Sequence, residues 1–126
     1  MTVNDPDVVA EVAAAFRAYE AALMADDVRA LDALFHDAAA TVRYGVGEVL
    51  YGADEIRAFR VGRGGSPQRR LGRLAIAAYG RDLATANVEF FRAGGDRRGR
   101  QSQTWVRFPG GWKIVSAHVS IEGSGS

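Results

Sequence analysis

Over the first quarter of the chain, apolar residues return at every third or fourth position. Val9, Val12, Phe16, Tyr19 and Leu23 fall on one helical face, with Asp5 placed to cap the helix and Pro6 suited to its first turn. "ADD" breaks the pattern, and Asp26 or Asp27 can cap a second short helix carrying Val28, Leu31, Leu34 and Phe35. "ATVRY" and "GEVLY" then read as two short strands that turn at Gly45 to Gly47, and "GADEIRAFRV" returns to helical spacing with Ile56 and Phe59 inward. From residue 68 the period changes to two. "RRLGRLAIAAYG", "LATANVEFFRAGG", "RRGRQSQTWVRFPGG" and "WKIVSAHVSIEG" are separated by Gly80-Arg81-Asp82, Gly94-Gly95-Asp96 and Pro109-Gly110-Gly111. Those are tight-turn residues, so a four-stranded antiparallel meander is expected.

Helices first and a meander after predict an α+β fold, with the N-terminal helices packed on one face of a curved antiparallel sheet. A twisted sheet of such long strands curls, and helices leaning on it enclose a pocket. The chain reads as a single domain over residues 4–121, followed by a flexible tail at 122–126. Alternation then assigns faces. Without a bulge, Trp112, Ile114, Ser116, His118 and Ser120 share one face of the last strand. Gln101, Gln103 and Trp105 share one on the strand before, and Thr85, Asn87, Glu89 and Phe91 on the strand before that. One face of the meander is thus expected to gather Glu89, Gln101, Gln103, Trp105, His118 and Ser120. Either that face meets solvent, where such alternation is routine, or helices cover it and these polar groups line the pocket.

Composition narrows the functional classes. The 126 residues suit one domain with a single core, and the net charge of +1 gives no bulk case for nucleic acid or a membrane surface. Of the 16 basic residues only Lys113 is a lysine. Arginine keeps its charge when partly buried and grips carboxylates with two parallel hydrogen bonds, although GC-rich coding gives the same bias and is the weightier cause. The absence of cysteine excludes disulfides, thiolate metal sites and a cysteine nucleophile. "MTVNDPDVV" carries acid where a signal peptide needs positive charge, and no run approaches the roughly 18 apolar residues of a membrane span, so a cytosolic protein is expected.

Two side chains draw chemical interest. Tyr19 on the apolar face of the first helix is either a core tyrosine or a phenol aimed into the pocket as hydrogen-bond donor or general acid. Arg43 in mid-strand is either a surface charge or, facing the same pocket, a carboxylate clamp. His36 and Asp37 look like a helix end and the loop after it; a metal would need a third ligand, and neither metal nor cofactor is expected. Ser116 or Ser120 with His118 makes a poor nucleophile pair, because same-strand neighbours lack the geometry and no nucleophile elbow is present. The loop "VGRGGSPQRR" matches no phosphate-binding fingerprint and reads as a mobile, solvated connection, able to cover a pocket mouth.

The blocks "NDPDVVAEVAAAFRAYEAAL", "TVRYGVGEVLYGADEIRAFR", "YGRDLATANVEFFRAG" and "GRQSQTWVRFPGGWKIVSAHVS" resemble the AtzH-like family of the NTF2-like, or SnoaL-like, superfamily over residues 4 to 120. "TVRYG", "GRQSQTW" and "AHVS" make the resemblance specific. It implies a cone-shaped fold and a small cytosolic enzyme of nitrogen-compound catabolism that converts 1,3-dicarboxyurea to allophanate, by C–N hydrolysis or decarboxylation. The family's functional tyrosine and arginine fall on Tyr19 in "FRAYEA" and Arg43 in "TVRYG". Arg43 would clamp a carboxylate and Tyr19 would donate a proton or hydrogen bond, with Gln101, Gln103, His118 and Ser120 binding the urea group. The resemblance also implies a homodimer and an amidase-signature hydrolase as partner. Two alternatives stand beside it. One is a non-catalytic ligand-binding or accessory module. The other is an isomerase or cyclase, which would need a carboxylate base such as Glu89 or, less well placed, Asp37.

Overall fold

Among residues 1–123, which the computed structural model describes, the elements follow the expected order. They are α1 (Pro6–Met24), α2 (Val28–Leu34), β1 (Val42–Tyr44), β2 (Val49–Tyr51), α3 (Ala53–Arg63), β3 (Arg69–Tyr79), β4 (Leu83–Arg92), β5 (Gly99–Phe108) and β6 (Gly111–Ile121). Local chemistry sets the helix starts. The Asp5 carboxylate accepts the Asp7 N–H at 2.9 Å, and Asp27 accepts the Ala30 N–H at 3.1 Å, each satisfying an orphan donor of a first turn. Phe35 leaves α2 in extended conformation and bridges to Ile114 on β6, which drives its ring into the core.

The six strands form one sheet in the order β2-β1-β6-β5-β4-β3. The meander β3 to β6 is antiparallel throughout, as is the β1–β2 hairpin. The two meet where β1 pairs with β6 in parallel, so the sheet is not the purely antiparallel one that the turns predict. That junction places Arg43 beside Ala117, near the middle of the sheet.

α1 lies across the concave face. Val8, Val12, Phe16, Tyr19 and Leu23 point down onto Ala78, Ala84, Ala86, Val88, Trp105 and Ile114, all buried. The alanines at 78, 84 and 86 leave room for the helix to approach β3 and β4 closely. Trp112 Nε1 donates to Glu11 Oε1 at 2.9 Å and ties α1 to β6. Each large apolar side chain removed from water here contributes about 2 kcal/mol.

Two register shifts bend the sheet. β3 carries one residue more than β4 between Leu71 and Leu74, and β6 carries one more than β5 at Val115, where Thr104 faces Ser116 but Trp105 faces Ile114. The second shift overturns the expected face of β6. Trp112 and Ile114 point inward, but beyond Val115 it is Ala117 and Val119 that do so, and Ser116 and His118 are exposed, with Ser120 beside them on the outer face. β4 is likewise inverted. Val88 pairs with Gln101 and Glu89 with Arg100, so Ala84, Ala86, Val88 and Phe90 are buried and Glu89 lies on the outer face, 3.3 Å from Arg98. Alternation shows which residues of one strand share a face. Only cross-strand register shows which faces match.

Of the segment expected as a tail, Glu122 donates its N–H to the Arg98 carbonyl at 2.8 Å and reaches Arg98 and Arg100 with its carboxylate. Residues 124–126 lie outside the described residues.

Gly99 is the tightest point beneath the helices. A Cβ there would sit 2.2 Å from Phe90 Cζ, and Phe90 is itself buried under the Arg69 guanidinium, 4.6 Å from the ring centroid. Gly99→Ala is therefore expected to lower stability by about 2 kcal/mol, as core overpacking does. Denaturant unfolding with an unchanged m-value checks this; a loss under 0.5 kcal/mol, within the ordinary noise of surface substitutions, would show that the ring moves aside freely.

A candidate anion pocket between the helices and the sheet

The pocket under α1 and α3 has two adjoining lobes. One holds about 280 Å³ and the other about 370 Å³ of atom-free space, part of it open to solvent. Tyr19, Leu23, Arg43 and Arg63 border both. Leu31, Leu50, Ile56 and Phe59 give the first lobe its apolar walls, with Arg60 at its side. Arg69, Gln101, Phe90, Ser66 and Pro67 shape the second.

Five arginines thus border a small space, Arg43, Arg60, Arg63, Arg69 and Arg92, and three of them are held by carboxylates. Arg43 Nη1 donates to Glu48 Oε1 at 2.7 Å, a contact made across the β1–β2 turn. Arg60, on the last turns of α3, pairs with Asp32 of α2 and stacks over Phe35 at 5.0 Å. Arg69 opens β3 and grips Glu20 of α1 with both branches of its fork, Nη2 to Oε1 at 2.6 Å and Nε to Oε2 at 3.0 Å. Its Nη1 donates to Gln101 Oε1 at 2.8 Å. Arg63 and Arg92 differ: among the described residues no carboxylate pairs with either, and the Arg63 Nε is buried without a partner. Burial pulls both Arg60 and Arg63 below the ordinary arginine range. At Arg60 the charge of Asp32 opposes the shift, whereas at Arg63 repulsion from Arg43 deepens it. Both remain cations, because guanidinium does not deprotonate in proteins.

Tyr19 is 4% exposed and meets Phe35 edge-on at 6.4 Å. Tyr19 is thus a core residue that also lines both lobes, within electrostatic reach of Arg60 and Arg63. Gln101 is 2% exposed; Arg69 fixes its amide, and its Nε2 has no partner where it meets the second lobe.

The remaining expected site residues fall elsewhere. Gln103 and Trp105 share the inner face with Gln101 but lie within the core, Trp105 Nε1 donating to Gln103 Oε1 at 3.0 Å. His118 faces outward and packs edge-on against Tyr44 at 5.6 Å, with Ser120 accepting from Arg100 Nε at 3.2 Å. Glu89, tied to Arg98 on the outer face, cannot serve as a base in the pocket, and Asp37 is exposed and paired with Arg57 at 3.1 Å. His36 stacks on Phe108 at 4.1 Å, and no three His, Asp or Glu side chains converge among the described residues as a metal would require. The glycine-rich connection does border the pocket: Gly64 ends α3 in a left-handed conformation, and the Asp26 carboxylate accepts the Ser66 N–H at 2.9 Å. Periodicity gave no sign of Arg60, Arg63 and Arg69. The arginine bias was their one signal, and it does not say which arginines turn inward.

Removing a carboxylate should expose the cost of this arrangement. Asp32→Ala leaves Arg60 buried without its partner and is expected to lower stability by about 3 kcal/mol, and the double variant Asp32→Ala/Arg60→Met to recover most of that. Urea unfolding of both checks the pair; a double variant no more stable than the single one would refute the account.

The match to known proteins agrees with this fold. The AtzH-like family model matches residues 1–125. A crystal structure of a protein of unknown function from Pectobacterium atrosepticum is 52% identical, covers 96% of this chain and 95% of its own, and superposes with a TM-score of 0.93. A cystatin-like fold protein from Burkholderia xenovorans is 48% identical over 96% of each chain, with a TM-score of 0.92. An NTF2-like superfamily protein from Salmonella enterica, at 24% identity, 96% and 95% coverage and a TM-score of 0.77, shares the fold alone. No functionally curated protein matches. A cone of helices on a six-stranded curved sheet, with Tyr19 and Arg43 on one pocket, is thus a member of the AtzH-like family with the NTF2-like fold.

Proposed function

We propose that the protein is an enzyme that converts 1,3-dicarboxyurea to allophanate in the breakdown of nitrogen compounds. The observation that carries this reading is that the Tyr19 phenol and the Arg43 guanidinium border the same small, cation-rich pocket. Arg43 commits only Nη1 to Glu48, which leaves donors for a substrate carboxylate. Gln101 Nε2, buried and unpartnered, fits the urea carbonyl.

Decarboxylation is the route the site favours. One N-carboxylate leaves as carbon dioxide when the C–N bond breaks, its electrons staying on nitrogen, and nitrogen gains one proton. The dianion plus one proton gives the allophanate monoanion and carbon dioxide. Tyr19 donates to that nitrogen, and the aliphatic walls of Leu31, Leu50 and Ile56 favour the loss of charge at the departing carboxylate. Hydrolysis would need a base to activate water. The carboxylates that contact the pocket's arginines, Glu48, Asp32 and Glu20, are each held by that pairing, and Asp26 accepts the Ser66 N–H.

Turnover of freshly generated 1,3-dicarboxyurea, with allophanate followed directly, is the test. Tyr19→Phe is expected to lower kcat by about a hundredfold, the lower end of what a positioned proton donor contributes. Arg43→Ala should lower kcat/KM by a similar factor through lost carboxylate binding, about 3 kcal/mol. Circular dichroism should show both folded. No turnover by the wild type would overturn the enzymatic reading and leave a carboxylate-binding accessory module.

A further inference from the structure

We propose that Arg63 reads a second carboxylate and so makes the pocket select dianions over monoanions. The inference rests on reading the pocket as a carboxylate site, and not on which reaction follows.

Charge compensation and position together single this residue out. Arg43, Arg60 and Arg69 meet Glu48, Asp32 and Glu20, so three of the five arginines at the pocket are already neutralised within the protein. Arg92 at the second lobe and Arg63 have no such partner among the described residues, but of the two only Arg63 borders both lobes and carries a buried, unpartnered Nε. A solvated surface arginine would need none, but this one is half-buried, lies over Phe59 at 5.3 Å, and has its Nε cut off from water. Holding a cation out of water without an anion is unfavourable, and an anionic ligand is what removes the penalty. Arg43 lies 5.8 Å from the centroid of the same Phe59 ring, so the two guanidiniums flank one space. Gln101 supplies the second, independent observation: a donor on a residue 2% exposed, its orientation locked by Arg69, also unpartnered at the pocket. A ligand with one carboxylate at Arg43, a carbonyl at Gln101 and another carboxylate at Arg63 would satisfy all three. A product that has lost one carboxylate would leave Arg63 unpaired again, which favours its release.

The test is calorimetric binding of glutarate, whose two carboxylates are separated by as many chain atoms as those of 1,3-dicarboxyurea, against butyrate. Wild type, Arg63→Gln and Arg63→Lys are compared, since both substitutions keep a long stem on the last turn of α3 and a thermal melt verifies their folding. Wild type is expected to bind glutarate about tenfold more tightly than butyrate, the effect of one added charge-assisted contact. Arg63→Gln should bring the ratio close to one, and Arg63→Lys should keep part of it. A ratio unchanged in Arg63→Gln, or a wild type that shows no preference or binds neither acid, overturns the assignment. Turnover separates it from the reaction: a wild type that prefers glutarate yet leaves 1,3-dicarboxyurea intact keeps Arg63 in this role and removes the substrate.

Discussion

The extra residue at Val115 controls more of this molecule than any single contact. It lets β6 begin with Trp112 and Ile114 in the core and end with Ala117 and Val119 there, while β5 keeps Gln101, Gln103 and Trp105 inward without interruption. The small Ala117, paired with Arg43 on the parallel strand β1, leaves the space that Arg43 enters. A regular strand would have turned His118 and Ser120 into the cavity instead. The bulge also adds local twist, and with its counterpart on β3 it gives the sheet the curvature over which α1 and α3 can lean without closing the pocket.

Around that space the arginines are organised by desolvation. They are drawn in from four elements: Arg43 from β1, Arg60 and Arg63 from α3, Arg69 from β3 and Arg92 from β4. The guanidiniums of Arg60, Arg63 and Arg69 lie over aromatic rings, Phe35, Phe59 and Phe90, so the rings' faces meet the cations. Three carboxylates from α1, α2 and the β1–β2 turn compensate three of them; the Glu20–Arg69 pair fastens α1 to the sheet and the Asp32–Arg60 pair joins α2 to α3. The apolar side chains of the first lobe surround Arg63, and in such surroundings an uncompensated cation attracts an anion more strongly than it would at the surface.

The sequence resemblance and the geometry bear on different parts of the site. The resemblance names Tyr19 and Arg43, and the geometry supplies their neighbours: a locked glutamine, a phenylalanine flanked by two guanidiniums, and an uncompensated arginine at the end of α3. The outer face has different chemistry. There Glu89, Arg98, Arg100 and Glu122 form exposed ion pairs, which contribute little to stability.

Element order, both aspartate caps, the meander and the inward face of α1 were legible in the sequence, because each depends on residues a few positions apart. Tyr19 was on the correct face for the same reason. The partition of the sheet residues was not legible. A one-residue slip reverses a strand's faces, and neither the bulge at Val115 nor the register between Val88 and Gln101 leaves a periodic signal. The burial of Arg60, Arg63 and Arg69 was hidden too, since a guanidinium enters the interior only where carboxylates and rings from distant segments meet it. Glu20 lies 49 residues from Arg69 in sequence, and Asp32 28 from Arg60. Local spacing decides which elements form; the pocket's charge was decided only when the tertiary fold brought those segments together.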